Sequence, residues 1–267
     1  MPKREHFNEI DELSVRETAF ADVFPQGFLS QRLCLPLAPV NASESDAPFA
    51  LDVPLVFKNR YEEGAPVNPQ FVLQLLDAME GYSDWEERLS QEKVKVHGRR
   101  GSPLNEELSL IRSELQFDPY ITLGEILDGL YNFECRLAWD TNLLDGVELV
   151  RATESLQVLH TTNKKILFIS SRDFVEKRLA FAHDGKFIVY YSACPDSIRP
   201  PVDDVVRGEQ VLGLHVYEKV GESVRQTGYS QVDIRLPVGG QIAEKALPGQ
   251  LRTWFDKFRN YLEERKV

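Results

Sequence analysis

Cysteine, basic charge and long apolar runs are all scarce in this chain of 267 residues, and each shortage removes a class of function. The three cysteines, Cys34, Cys135 and Cys194, are odd in number and far apart, which argues against a disulfide framework and against a zinc site. Lys and Arg number 31 against 42 Asp and Glu, a formal charge of -11, with no cationic stripe, so nucleic acid is not the expected partner. A local basic contact with a membrane is still compatible with that balance. No stretch approaches the ~20 apolar residues that span a bilayer. The longest candidate, Leu33 to Ala42, is broken by Pro36 and Pro39. The opening MPKREHFNEIDEL is charged from its third residue and lacks the apolar run of a signal peptide. These absences together lead us to expect a soluble, cytoplasmic protein.

Catalytic signatures are missing as well. There is no Gly-x-Ser-x-Gly elbow, P-loop, dinucleotide glycine fingerprint or paired metal-ligand motif. His6, His97, His160, His183 and His215 are scattered singly, and each reads as a surface or core histidine before it reads as a base or ligand. We therefore expect no cofactor, no metal and no enzyme activity.

What is present suits one large domain plus an extension, or two small domains: 42% of residues are hydrophobic and 27% charged, enough for a sizeable core. The most informative stretch, Ser170 to Ala193, reads as two long strands joined at His183-Asp184-Gly185-Lys186, because Asp-Gly tolerates the positive φ of a two-residue hairpin. Period two puts Val175, Lys177, Leu179 and Phe181 on one face of the first strand, and Phe174, Glu176, Arg178, Ala180 and Ala182 on the other. The second set places a guanidinium and a carboxylate among small and aromatic residues. Spacing leaves two readings open: a solvated pair on an outer face, or a shielded pair that a polar group must meet.

Residues 1–66 mix Pro, Ser and acidic residues with weak apolar patches, and read as a partly irregular arm draped on the domain through residues such as Phe20, Phe24, Phe28 and Phe57. Asn68-Pro69 opens a helix with Phe71, Val72, Leu75, Leu76 and Met79 at helical spacing, ending near Gly81. Strands follow at Val94–His97 and Leu108–Phe117. Thr122-Leu-Gly-Glu125 is a capping-box pattern opening a second helix, with a short third one from Phe133 to Trp139. Further strands are expected near Val147–Val150, Leu156–His160, Val205–Glu218 and Thr227–Leu236. At the C-terminus Leu251, Trp254, Phe255, Phe258, Tyr261 and Leu262 form an apolar stripe at steps of three and four.

The string Arg172-Asp173-Phe174-Val175, followed by Arg178, resembles the corresponding strand of START domains, lipid-transfer modules named after the steroidogenic acute regulatory protein. Residues 67–267 carry the likeness in their element order, in Trp139-Asp140, and in Val232-Asp233-Ile234-Arg235-Leu236-Pro237 with Gly239-Gly240. The resemblance implies an α+β helix-grip fold: a curved antiparallel sheet wrapped around the long C-terminal helix, enclosing a lipid tunnel. It implies Arg178 and Arg136 as leading polar contacts, with Phe174, Glu176, Ala180, His160, Trp254 and Phe258 as further lipid-binding positions. His160 is expected near the tunnel mouth. The loop from Thr161 to Ser171 matches a loop over that mouth: Lys164 and Lys165 would meet an anionic bilayer and Ile166, Leu167 and Phe168 dip into it, unless these three begin the next strand as core.

The function so implied is a soluble monomer that carries a single phospholipid or sterol between membranes, touching their surfaces transiently. Two other classes stay open. One is a ligand-sensing or scaffolding module that recruits a protein through residues 1–66. The other is a cyclase- or hydratase-type enzyme using the same cavity.

Overall fold

The computed structural model describes residues 68–151, 155–165, 170–235 and 240–266, with the backbone alone for 240–246. The arm of residues 1–66 lies outside the described residues. The first element, α1 (Pro69–Glu80), starts where the sequence predicts: the Asn68 side chain accepts from the Phe71 N–H at 2.8 Å, and Pro69 occupies the first turn, where its missing N–H costs nothing.

Three strands follow, β1 (Glu86–Ser90), β2 (Val94–Arg100) and β3 (Ser109–Gln116). Next come α2 (Leu123–Tyr131) and α3 (Phe133–Trp139), and both halves of the Thr122/Glu125 capping box are made. The second run of strands comprises β4 (Leu143–Arg151), β5 (Leu156–Asn163), β6 (Arg172–His183), β7 (Lys186–Ala193), β8 (Val206–Arg207), β9 (Glu209–Val220) and β10 (Ser223–Asp233), and α4 (Gly240–Glu264) closes the chain. In the β6–β7 hairpin Asp184 and Gly185 have φ of 47° and 71°, the pair of positive values that a tight two-residue turn requires.

The strands form one sheet in the order β1-β2-β3-β10-β9-β7-β6-β5-β4, with β8 pairing parallel to β6 off that path. The chain lays down one edge, crosses through α2 and α3 to the opposite edge, and meanders back until β10 pairs with β3. Neighbouring strands along that path are antiparallel, so α4 leaves from the middle of the sheet and lies along one face.

That face carries the main core. Phe255, Phe258 and Leu262 of α4 pack with Ile126, Leu127 and Leu130 of α2, Trp139 of α3, and Val96, Leu115, Phe117, Phe187 and Val189 of the sheet. A fully buried phenylalanine such as Phe255 or Phe258 contributes roughly 2–3 kcal/mol. The opposite face is covered by α1, whose Val72, Leu75, Leu76 and Met79 meet Leu110, Leu179, Ile188, Tyr190, Leu212 and Tyr229.

The sequence reading misses three features. β1 is an edge strand, EERLS, that buries almost nothing and so shows no apolar alternation. β10 begins at Ser223, four residues early, because Gly221 (φ 63°) turns the chain immediately after β9. The last helix starts at Gly240 and runs through Pro248, well before the apolar stripe that announces it.

Candidate functional site

Strand pairing decides what faces α4. Across β5, β6, β7 and β9 the opposed residues form rows: Thr161 with Phe174, Glu176 with Ala193, Arg178 with Tyr191 and then Gly213, Ala180 with Val189 and then His215, and Ala182 with Phe187 and then Tyr217. Ala180, Phe187, Val189 and Tyr217 belong to the α4-side core, so the whole set Phe174, Glu176, Arg178 and Ala180 shares that inner face. The solvated pair is thereby excluded: Arg178 is only 5% exposed.

Around Arg178 the inner face is polar and enclosed. The Tyr131 hydroxyl lies 2.7 Å from His215 Nδ1 and 2.7 Å from the Tyr217 hydroxyl. The other ring nitrogen, His215 Nε2, lies 2.8 Å from the Tyr191 hydroxyl. Four side chains from α2, β7 and β9 thus make one continuous hydrogen-bonded chain. Burial holds His215 down to about pKa 3, with Arg136 and Arg178 adding to the effect, so its imidazole is neutral. Burial pushes the Tyr131 phenol up to about 12 and those of Tyr191 and Tyr217 higher.

The Arg178 guanidinium stands 4.8 Å from the Tyr131 ring centre, a cation–π contact. Among the described residues it has no ion-pair partner, and its Nε is buried without a hydrogen-bond acceptor. Burial lowers its pKa, with Tyr131 and Glu176 opposing. Glu176, two residues earlier on the same face, is raised by burial against the pull of Arg178 and Arg136. Desolvation dominates the shifts of Glu176, Tyr191 and His215, so protein surrounds all three, yet each keeps surface that no atom covers. We take the space that this uncovered surface borders, between the sheet and the helices, as the candidate ligand hollow.

This combination of a meandering sheet, a C-terminal helix along one face and an enclosed polar cluster is found in known structures. Human STARD10 superposes with a TM-score of 0.67 at 17% identity, over 76% of this chain and 82% of that one. The chain has the START fold. Human StAR-related lipid transfer protein 5 matches with a TM-score of 0.66 at 19% identity, over 74% of this chain and 95% of that one. A STAR-related lipid transfer protein fragment from Xanthomonas axonopodis matches at 0.54 and 19%, over 68% and 99%. No family model and no curated protein matches the sequence itself.

On the START frame the expected residues separate into groups. Arg136 of α3 donates through Nε to Asp140 at 3.1 Å, and Trp254 of α4 donates to the same carboxylate oxygen at 3.2 Å, so one buried carboxylate ties the helix pair to α4. The Arg136 charge reaches inward, since it acts on Glu176, Arg178, Tyr191 and His215. Phe174 lies inside, its ring against the bare backbone of Gly208. Phe258 is fully buried against Trp139, Phe117 and Gly129, in solid packing away from the hollow.

His160 does not join the inner group. It pairs with Val175, which puts it on the α1 side of the sheet, 3.1 Å from Asp173, and Asp173 is in turn held by a two-pronged contact from Arg207 at 3.0 and 2.9 Å. Lys164 and Lys165 are exposed just past the end of β5, and Ile166, Leu167 and Phe168 lie outside the described residues.

Tyr131, Tyr191, His215 and Tyr217 are the inner-face residues that the sequence reading passes over. Parity along β9 could have found two of them, since Val211, Gly213, His215 and Tyr217 alternate with the buried Leu212, Leu214 and Val216. Among the described residues no His, Cys, Asp and Glu group could hold a metal ion, and no helix is long and apolar enough to cross a membrane.

Proposed function

We propose that this chain binds one lipid molecule inside the fold and carries it between membranes. The reading is carried by Arg178: a guanidinium 5% exposed, on the wall of a hollow, with no carboxylate or carbonyl among the described residues to meet its buried Nε. Leaving such a group unmatched costs several kcal/mol, so it argues for a polar ligand group that completes it. Two structural neighbours, human StAR-related lipid transfer protein 5 and the STAR-related lipid transfer protein fragment from Xanthomonas axonopodis, point the same way.

The ligand is a phospholipid or a sterol with its polar end near Arg178 and Arg136 and its hydrocarbon along the inner face of the sheet beside Phe174. A choline head finds little to hold it. By spacing, the positions that form an aromatic cage in phosphatidylcholine carriers of the family are Thr161, Phe174 and Val211 here, one ring where a cage needs several. In this reading the segment from Lys164 to Phe168 and the part of α4 around Trp254 act as the gate, opening at a membrane surface and closing in water.

The test is native mass spectrometry of the protein purified from its own source, followed by extraction of the bound molecule. We expect a mass above that of the bare chain and a single lipid class in the extract. A bare mass, together with no uptake from vesicles, would overturn the reading.

A further inference from the structure

Resting on the reading of the chain as a lipid carrier, we propose that its inner site selects lipids whose buried end is an oxyanion, a phosphate or a carboxylate, because the tyrosine–histidine chain fixes Tyr191 as a hydrogen-bond donor beside Arg178.

The argument is a count of protons. Tyr217, Tyr131, His215 and Tyr191 are joined in that order by three short contacts, each between 2.7 and 2.8 Å. A neutral imidazole brings one N–H and one lone pair. Three hydroxyls and one N–H therefore supply four protons to three hydrogen bonds, and one proton is left over.

Three orders are consistent. In the first, Tyr191 donates to Nε2, Nδ1–H donates to Tyr131, and Tyr131 donates to Tyr217. The spare proton then sits on Tyr217, which is 1% exposed and has no polar neighbour among the described residues besides Tyr131 and His215 itself. A buried O–H with no acceptor carries its full desolvation cost. In the second order Tyr217 donates to Tyr131, Tyr131 to Nδ1, and Nε2–H to Tyr191. The spare proton is then on Tyr191, which is only partly covered and stands across the strand pair from Arg178. In the third, Tyr217 and Nδ1–H both donate to Tyr131 and Tyr191 donates to Nε2, with the spare proton on Tyr131, which is 5% exposed and has no further acceptor among the described residues. The second order leaves no buried donor unmet, so His215 carries its proton on Nε2.

Tyr191 is therefore poised to donate into the hollow, directly across the strand pair from Arg178. Arg178 has only donors to offer, and Arg136 adds guanidinium nitrogens beyond the Nε that Asp140 engages. Glu176 has no ion pair or hydrogen bond among the described residues, and burial favours its protonated form against the pull of Arg178 and Arg136, which weakens the competing negative charge on this face. Donors converge from several sides and positive charge is left over. A phosphate or carboxylate matches both counts. A sterol hydroxyl meets one donor and leaves the charge bare, and a quaternary ammonium meets a like charge.

Two measurements on the full chain test this. In the first, the protein is incubated with dioleoylphosphatidylcholine vesicles doped with dioleoyl phosphatidate, with oleic acid or with cholesterol, then separated and weighed by native mass spectrometry. We expect phosphatidate or oleate to load at least about tenfold better than cholesterol or phosphatidylcholine, the two arms telling which oxyanion fits. Tyr191→Phe, which removes only the hydroxyl, should cut that loading about tenfold while cholesterol loading stays the same. In the second, nitrogen-15 spectra of the wild-type His215 ring should show the Nε2–H tautomer. The Nδ1–H tautomer, unchanged loading in Tyr191→Phe, or a preference for cholesterol or phosphatidylcholine would overturn the inference and leave the carrier reading standing. No loading of any lipid would remove both.

Discussion

Tyr191 lies flat on the backbone of Gly213, its partner across β7 and β9, and a β-carbon built on that glycine would stand 2.2 Å from the ring. The missing side chain is what lets the tyrosine lean over β9 and reach His215. Gly213→Ala should push the ring away, break the Tyr191–His215 contact and cost roughly 1–3 kcal/mol from overpacking. Lipid loading should fall with it. Thermal unfolding together with native mass spectrometry checks this, and unchanged values in both would show that the contact is not required.

Arg178 makes the opposite kind of prediction. Its guanidinium is a buried cation without an ion-pair partner among the described residues, in cation–π contact with the Tyr131 ring. Replacing it by methionine, of similar length and no charge, should stabilise the lipid-free protein by roughly 1–3 kcal/mol and abolish capture of the lipid head. A variant that is both less stable and still loaded would mean the arginine serves the fold.

How much of this was legible in the sequence depended on how far each signal had to reach. Asp184-Gly185, the Thr122/Glu125 box and the α4 stripe act over a few residues, and each lies within the element read from it, although α4 begins before its stripe. The face of β6 was legible as a set of residues, Phe174 through Ala180. Which side water takes was not, because that is decided by the strands paired alongside, Thr161 opposite Phe174 on one flank and Tyr191 and then Gly213 beside Arg178 on the other. Tyr190 and Tyr191 show the difficulty. They are adjacent and identical, and only register tells that the first packs under α1 and the second points at the hollow. His160 was drawn inward by its nearness to the gate loop in sequence, and pairing with Val175 turned it outward. His215 lay among five scattered histidines, with nothing local to mark it.

Glu176 provides a pH-dependent test. Burial raises its carboxyl above 4.5 in the folded chain, while the unfolded chain ionises near that value. Below about 4.5 both states hold the proton and the residue is neutral in its effect on the balance; as pH rises toward the folded pKa, the unfolded state alone releases its proton and stability is lost. Glu176→Gln removes this penalty, so the variant should be more stable than wild type by on the order of 1 kcal/mol at about pH 8 and no different at about pH 4. Equal stability at both pH values would place the carboxyl in water.

Asp173 carries the complementary case on the other face. Burial alone would raise its carboxyl, but hydrogen bonds from Arg207 and His160 outweigh that and hold it below the usual carboxylate value. A depressed folded pKa contributes stability above the unfolded value near 3.8 and surrenders it as pH falls through the folded one. Asp173→Asn should thus destabilise the protein by on the order of 3 kcal/mol at neutral pH, since it leaves Arg207 buried with a weaker partner, and should flatten the acid limb of the stability curve. Because Asp173 and His160 face away from the hollow, the choice among phosphatidate, oleate and cholesterol should be untouched in whatever fraction remains folded. Altered lipid preference in this variant would mean that the two faces of β6 are coupled through the strand, and that the polar cluster around Arg178 is not the sole determinant of what is bound.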